Sequence, residues 1–187
     1  AEQAAGILRW QLTMGVTTPV VHCAYNSVAG LRLTEAPPDF GPESSRWPGM
    51  VALGRELAEL QPIVRDARQI APVALLWPIR SFAALPAAEF TADSPLRNEF
   101  VRLVQLCLDQ QIGLHLIDEA DLWRAKLDGG RLTLGKSTYS HVLIPSCTVL
   151  HQRTVQTLRV AADKAVAVLR AGEPPRWQQT DAGLEPL

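Results

Sequence analysis

The sequence predicts an α/β protein. Its main part is a doubly wound parallel sheet, and a helix–strand–loop–helix segment precedes it. Three observations predict this. "APVALLW" (Ala71–Trp77) is a continuous apolar run, as expected of a parallel strand covered on both faces. From Ala71 to Leu169, apolar runs of strand length alternate with stretches of helical period, the pattern of strands joined by crossover helices. Ahead of them, a long stretch rich in Pro, Gly and Ser shows no period at all and reads as loop.

The elements follow in order. Ala4, Ile7, Leu8 and Leu12 recur at helical spacing, so residues 1–14 read as a helix, with Gly15 placed for a left-handed C-terminal cap. The β-branched run Val16–Val21 reads as a strand. After the loop, residues 48–68 read as a helix with an apolar stripe at Met50, Leu53, Leu57, Leu60 and Val64, capped by Ser44 or Ser45. Past the strand at Ala71–Trp77, residues 95–111 form a helix with Phe100, Val101, Val104 and Leu108 inward and Gly113 near its end. "GLHLIDE" is a strand, "ADLWRAKL" a short helix, "GGRLTLG" a turn with an edge strand, and Ser140–Pro145 a third main strand. Residues 150–163 return to helix and Lys164–Leu169 to strand. Together these make Ala71–Leu169 a domain of flavodoxin type, its parallel strands joined by right-handed crossovers. The last residues, "AGEPPRWQQTDAGLEPL", have the composition of a fraying end.

Composition excludes several classes. The net charge is -1, and Lys and Arg are scattered singly, so no basic face for nucleic acid is expected. No apolar run approaches the roughly 20 residues that span a bilayer, and no membrane partner is expected. The three cysteines, Cys23, Cys107 and Cys147, show no CxxC spacing. This argues against a disulfide framework and a structural zinc site, and for a reducing, cytoplasmic compartment. Neither a metal nor a cofactor is expected.

The chemistry-bearing residues are few. "GVTTPVVHCAYNS" ends an apolar run in His22, Tyr25 and Asn26, suited to hydrogen bonding a substrate at the carboxyl end of a strand, and equally to finishing a strand as a polar loop. A helix before a lone strand is what the end of a (β/α)8 barrel offers, with further strands upstream. The alternative is a strand paired onto the edge of the following sheet. Glu35, Asp39 and Glu43 are carboxylates of the loop, where solvation is the ordinary fate. Cys147 follows a strand, but the flanking Ser146 and Thr148 lack the glycines of a nucleophile elbow, and His141 and His151 are close only in sequence. "LLWPIRSFAALPA" contains no glycine to let the backbone approach a phosphate. Glu119 or Asp121 suits a ribose contact or, more simply, the cap of the short helix. No catalytic residue is expected within this chain.

Two stretches together resemble a known family. Tyr25, Ser27, Gly30, Arg32, Pro37, Pro38, Asp39, Trp47 and Pro48 resemble the end of the catalytic barrel in bacterial glycoside hydrolases of the α-L-rhamnosidase-like group. "APVALLWPIRSF" through "SHVLIPSCTVL" resembles the class I glutamine-amidotransferase-like domain behind the barrel in these enzymes and in β-galactosidases with a trimerisation domain. The resemblance implies that residues 1–70 are a barrel end with its connector, 71–172 an amidotransferase-like domain without amidotransferase chemistry, and 173–187 a tail. It implies a carbohydrate substrate for the parent enzyme, His22, Tyr25 and Asn26 as rim residues, an acid and nucleophile on strands outside this chain, and packing or homo-oligomerisation as the second domain's task. The rival expectation is a self-sufficient flavodoxin-like module acting by protein–protein contact.

Overall fold

The computed structural model describes residues 2–22, 24–25, 27, 29–30, 39–89, 91 and 93–187. The chain divides into two compact units, Ala1–Gln69 and Ile70–Leu187.

In the first unit, α1 (Glu2–Thr13) buries Leu8 and Leu12. It closes as a Schellman motif: Gly15, at φ +93°, donates to Leu12 O, and Val16 N–H reaches back to Gln11 O at 3.0 Å. The run Val16–Val21 is not a strand. Val20 is 88% exposed, and the carbonyl of Thr17 is taken by the Gln61 side chain at 2.6 Å. A β-branched run becomes a strand only where a neighbouring strand takes its backbone groups, and Pro19 removes one donor besides. The second helix, α2 (Trp47–Asp66), starts after Arg46, with Pro48 in its first turn. Ser44 does not cap it; its hydroxyl accepts the Arg46 N–H just outside. Of the expected stripe, Leu53 is buried, and Arg9 of α1 grips Glu56 of α2 through Nε and Nη2 at 2.6 and 2.7 Å.

The second unit is a mixed α/β domain. Its main sheet is parallel, in the order β2 (Leu114–Ile117), β1 (Val73–Leu76), β6 (His141–Ile144), β8 (Ala167–Arg170). Alternation along β1 sends Ala74 and Leu76 to one face and Leu75 to the other, and all three are fully buried. The first face packs against Leu122, Leu132, Leu158 and Ala161. These come from α5 (Glu119–Arg124), the antiparallel sheet β3 (Lys126–Asp128), β4 (Arg131–Leu134), β5 (Ser137–Tyr139), and α6 (Gln152–Asp163). The second face packs against Phe82 of α3 (Ile79–Ala83) and Phe100 of α4 (Pro95–Asp109).

Some elements differ from expectation. Val101 faces solvent, and Cys107 is the second buried residue of α4. Past the end of α4, Gln111 takes a left-handed φ of +55°, and Gly113 lies so close to the preceding segment that a Cβ there would come within 2.1 Å of Ile70 O. The helix expected from Leu150 begins at Gln152, because Val149–His151 form a strand, β7. The C-terminal stretch does not fray. Trp177–Thr180 (β9) pair in parallel with β7, and Gly183–Pro186 (β10) fold back antiparallel on β9.

Candidate functional site

Within the first unit, polar contacts gather on Asp39, which is buried. One carboxylate oxygen accepts the Tyr25 N–H at 3.0 Å and the Gly41 N–H at 2.8 Å, and the Ser44 hydroxyl donates to the Asp39 carbonyl at 2.9 Å. A Cβ at Gly41 would lie 3.0 Å from that oxygen and 3.4 Å from the Cβ of Ala24, so a larger residue there would have to push its neighbours by a few tenths of an ångström. Asp39 therefore fastens Tyr25 to the entrance of α2. Its second oxygen, Oδ2, is buried and meets no partner among the described residues. Of the expected rim residues, His22 is exposed on the irregular stretch, Tyr25 is half-buried, and Asn26 lies outside the described residues, as do Glu35, Arg32, Pro37 and Pro38. Glu43 is exposed.

In the second unit, the chain runs outward from β1 to β2 and then crosses back to β6. The carboxyl ends of β1 and β6 flank this reversal, where open α/β sheets bind ligands. The residues after each strand are bound to one another here. Glu119, after β2, accepts Arg80 Nε at 2.8 Å, the His151 N–H at 2.7 Å and the Thr154 hydroxyl; Arg80 also donates to Gln179. Thr154 in turn accepts Trp123 Nε1 at 2.8 Å. After β1, the Ser81 hydroxyl accepts the N–H groups of Thr148 and Val149 and donates to Val149 O, all at 2.9–3.0 Å. After β6, Ser146 Oγ accepts the Glu173 N–H at 3.0 Å, and Gly172 passes so close that a Cβ there would lie 2.0 Å from that hydroxyl.

This arrangement decides the roles of several residues. The α5 cap is Asp118, which accepts the Asp121 N–H at 2.6 Å, rather than Glu119 or Asp121. Asp121 pairs with Arg124. Cys147 is 1% exposed, and burial pushes its thiol up to about 12, with the Glu119 charge adding to the effect and Arg170 opposing it. Such a sulfur is neither ionised nor reachable near neutrality. His151 caps α6, its Nδ1 accepting the Arg153 N–H, with its ring 4.7 Å from that of Trp123. His141 sits at the start of β6, the end remote from Cys147, with Nδ1 2.8 Å from Ser140 Oγ. Among the described residues no hydrogen bond joins Cys147 to His141 or His151. Among the described residues no cluster of His, Cys, Asp or Glu has the makeup of a metal site, and no helix is long and apolar enough to cross a membrane.

Sequence reasoning missed Ser81 and Ser94. Ser81 stands alone between Arg80 and Phe82, with nothing in its spacing to mark it, and Ser94, between Asp93 and Pro95, offers only the Ser-Pro signal of a helix start.

No family model matches the chain, and no curated protein matches it. Among solved structures it is similar to Gan42B, a GH42 β-galactosidase, with a TM-score of 0.49 and 14% identity, over 68% of this chain and 17% of that one. The chain thus spans less than a fifth of that enzyme, and a similarity of this extent assigns no chemistry.

Proposed function

We propose that the chain is part of a glycoside hydrolase acting on carbohydrate. Residues 1–69 border the substrate pocket through His22, Tyr25 and Asn26, and residues 70–187 form a non-catalytic, amidotransferase-like α/β domain. The sequence resemblance around Tyr25, Ser27, Gly30, Asp39 and Trp47 motivates the first half. The second half is carried by one observation: the thiol after β6 is buried, protonated and without a base, while the one buried carboxylate beside it is occupied by Arg80, His151 and Thr154. Around Cys147 and Glu119 these bonds hold the domain's elements together, and a thiol so placed does not hydrolyse glutamine.

The test uses the protein encoded by the whole gene, with a panel of p-nitrophenyl glycosides. Release of nitrophenol from at least one sugar is expected. Tyr25→Ala should raise KM about tenfold, as the loss of one substrate hydrogen bond does. Cys147→Ala should leave kcat unchanged. Glutamine-dependent ammonia release abolished by Cys147→Ala, or inertness toward every glycoside, overturns the reading.

A further inference from the structure

We propose that the aromatic cavity at the N-terminus of α4 is a binding site for a small molecule with an apolar or aromatic body and a carboxylate head. This site does not depend on the glycosidase reading and involves none of the rim residues His22, Tyr25 and Asn26.

The cavity measures about 580 Å³, inside the range of small-ligand pockets, roughly 300–1,000 Å³. Its walls are Trp77, Phe82 and Phe100. The Trp77 ring stands 5.5 Å from Phe82 and 4.9 Å from Phe100, tilted and edge-on, so the three rings fix one another. Phe82 and Phe100 are themselves core residues, which makes the walls preformed. At its edge, Ile79 and Val101 are 48% and 51% exposed, two large apolar side chains beside an apolar opening. Trp77 directly follows the last residue of β1, so the cavity lies beyond the carboxyl end of a strand beside the reversal of strand order.

The polar side of the cavity selects the head group. Ser94 lines it, is 4% exposed, and its hydroxyl meets no partner among the described residues. Ser94 is also the residue before the 15-residue helix α4, where a serine ordinarily accepts an N–H of the first turn; it makes no such bond. A buried hydroxyl without a partner is costly, and one lining a cavity is available to a ligand oxygen. The helix N-terminus adds a partial positive charge. Arg97, in the first turn of the same helix, is the one charged residue among the described lining residues. Donor, dipole and cation all favour an anion. The predominance of apolar wall, with three rings in it, favours a carboxylate on a ring or short chain over a phosphate ester.

The test titrates the chain with three probes that share one body: 3-phenylpropionate, 3-phenylpropan-1-ol and 3-phenylpropylamine. The readout is the indole N–H resonance of Trp77. The carboxylate is expected to shift that resonance saturably and to bind about tenfold or more tighter than the amine. Arg97→Gln, at an exposed position, should bring that preference close to unity. Ser94→Ala should weaken the carboxylate while the fold is retained. Val101→Trp, which fills the opening from the exposed face of α4, should abolish binding of all three probes. No shift of Trp77 with any probe overturns the proposal. So does binding that ignores the head group and is unchanged in Arg97→Gln and Ser94→Ala.

Discussion

Glu119 and His151, 32 positions apart, are joined by a hydrogen bond of 2.7 Å from the His151 N–H to the Glu119 carboxylate. The same carboxylate holds Arg80 and Thr154, so one side chain fastens α3, α5 and the start of α6 together. Removing it would strand a guanidinium, a backbone N–H and a hydroxyl. Glu119→Ala should therefore lower the unfolding free energy by about 3 kcal/mol, in the range for breaking a buried ion pair. Glu119→Gln, which keeps an acceptor, should cost less. Urea denaturation checks both through the midpoint, with the slope unchanged.

The Cys147 thiol gives the domain an alkaline limit. In the unfolded chain a thiol ionises near about 8.5, and in the folded protein burial pushes Cys147 up to about 12. The folded state favours the protonated form. Its stability is therefore whole below the ordinary thiol range and falls as pH rises through the window between the two values. The slope is at most about 1.4 kcal/mol per pH unit. Cys147→Ala should flatten that decline in a series of denaturation curves. In the same protein, alkylation of Cys147 at neutral pH should stay slow until denaturant is added.

Ser81 serves two N–H groups and one carbonyl at the turn after β6. Ser81→Ala should cost about 1–3 kcal/mol, the usual penalty of leaving buried backbone groups unmet. Thermal denaturation reads it as a lowered Tm.

Ser94→Ala should behave in the opposite sense. The hydroxyl is buried, without a partner among the described residues, and caps nothing. Its removal should leave the ligand-free protein as stable as before, or more stable by up to about 1 kcal/mol. A loss of stability comparable to that of Ser81→Ala would show a bonded role for this serine.

Ala165 ends α6 at φ +63°, with Val166 N–H reaching back to Ala161 O at 3.0 Å. This is the Schellman position, where glycine is free of the Cβ clash. Ala165→Gly should raise stability by about 1 kcal/mol. Gly172→Ala should do the reverse, because φ is +107° and the new Cβ would meet Ser146 Oγ at 2.0 Å. Both are read from chemical denaturation midpoints.

The parts of the fold legible in the sequence are those that local pattern determines. "VALL" is apolar throughout because β1 is central and covered on both faces, and Phe100 sits in a helical period that points inward. The misread parts depend on a partner. Val16–Val21 has the composition of a strand and pairs with no strand among the described residues. Trp177–Thr180 lacks such a composition and becomes a strand because β7 offers it a free edge. At the candidate sites, Cys147 was visible as a thiol after a strand, but its burial came only with the packing of the turn around it. Ser94 drew no notice, since an orphaned hydroxyl is a property of its surroundings.

The turn Pro145–Thr148 lies between β6, in the four-stranded sheet, and β7, in the three-stranded one. Ser81 holds it on one side, and Ser146 ties it to Glu173 on the other. These bonds tie the entry of β7 to α3 and the end of β6 to the chain that leads into β9. Amide hydrogen exchange should therefore release β6, β7 and β9 as one cooperative unit, at a shared opening free energy, rather than peeling the C-terminal hairpin away first.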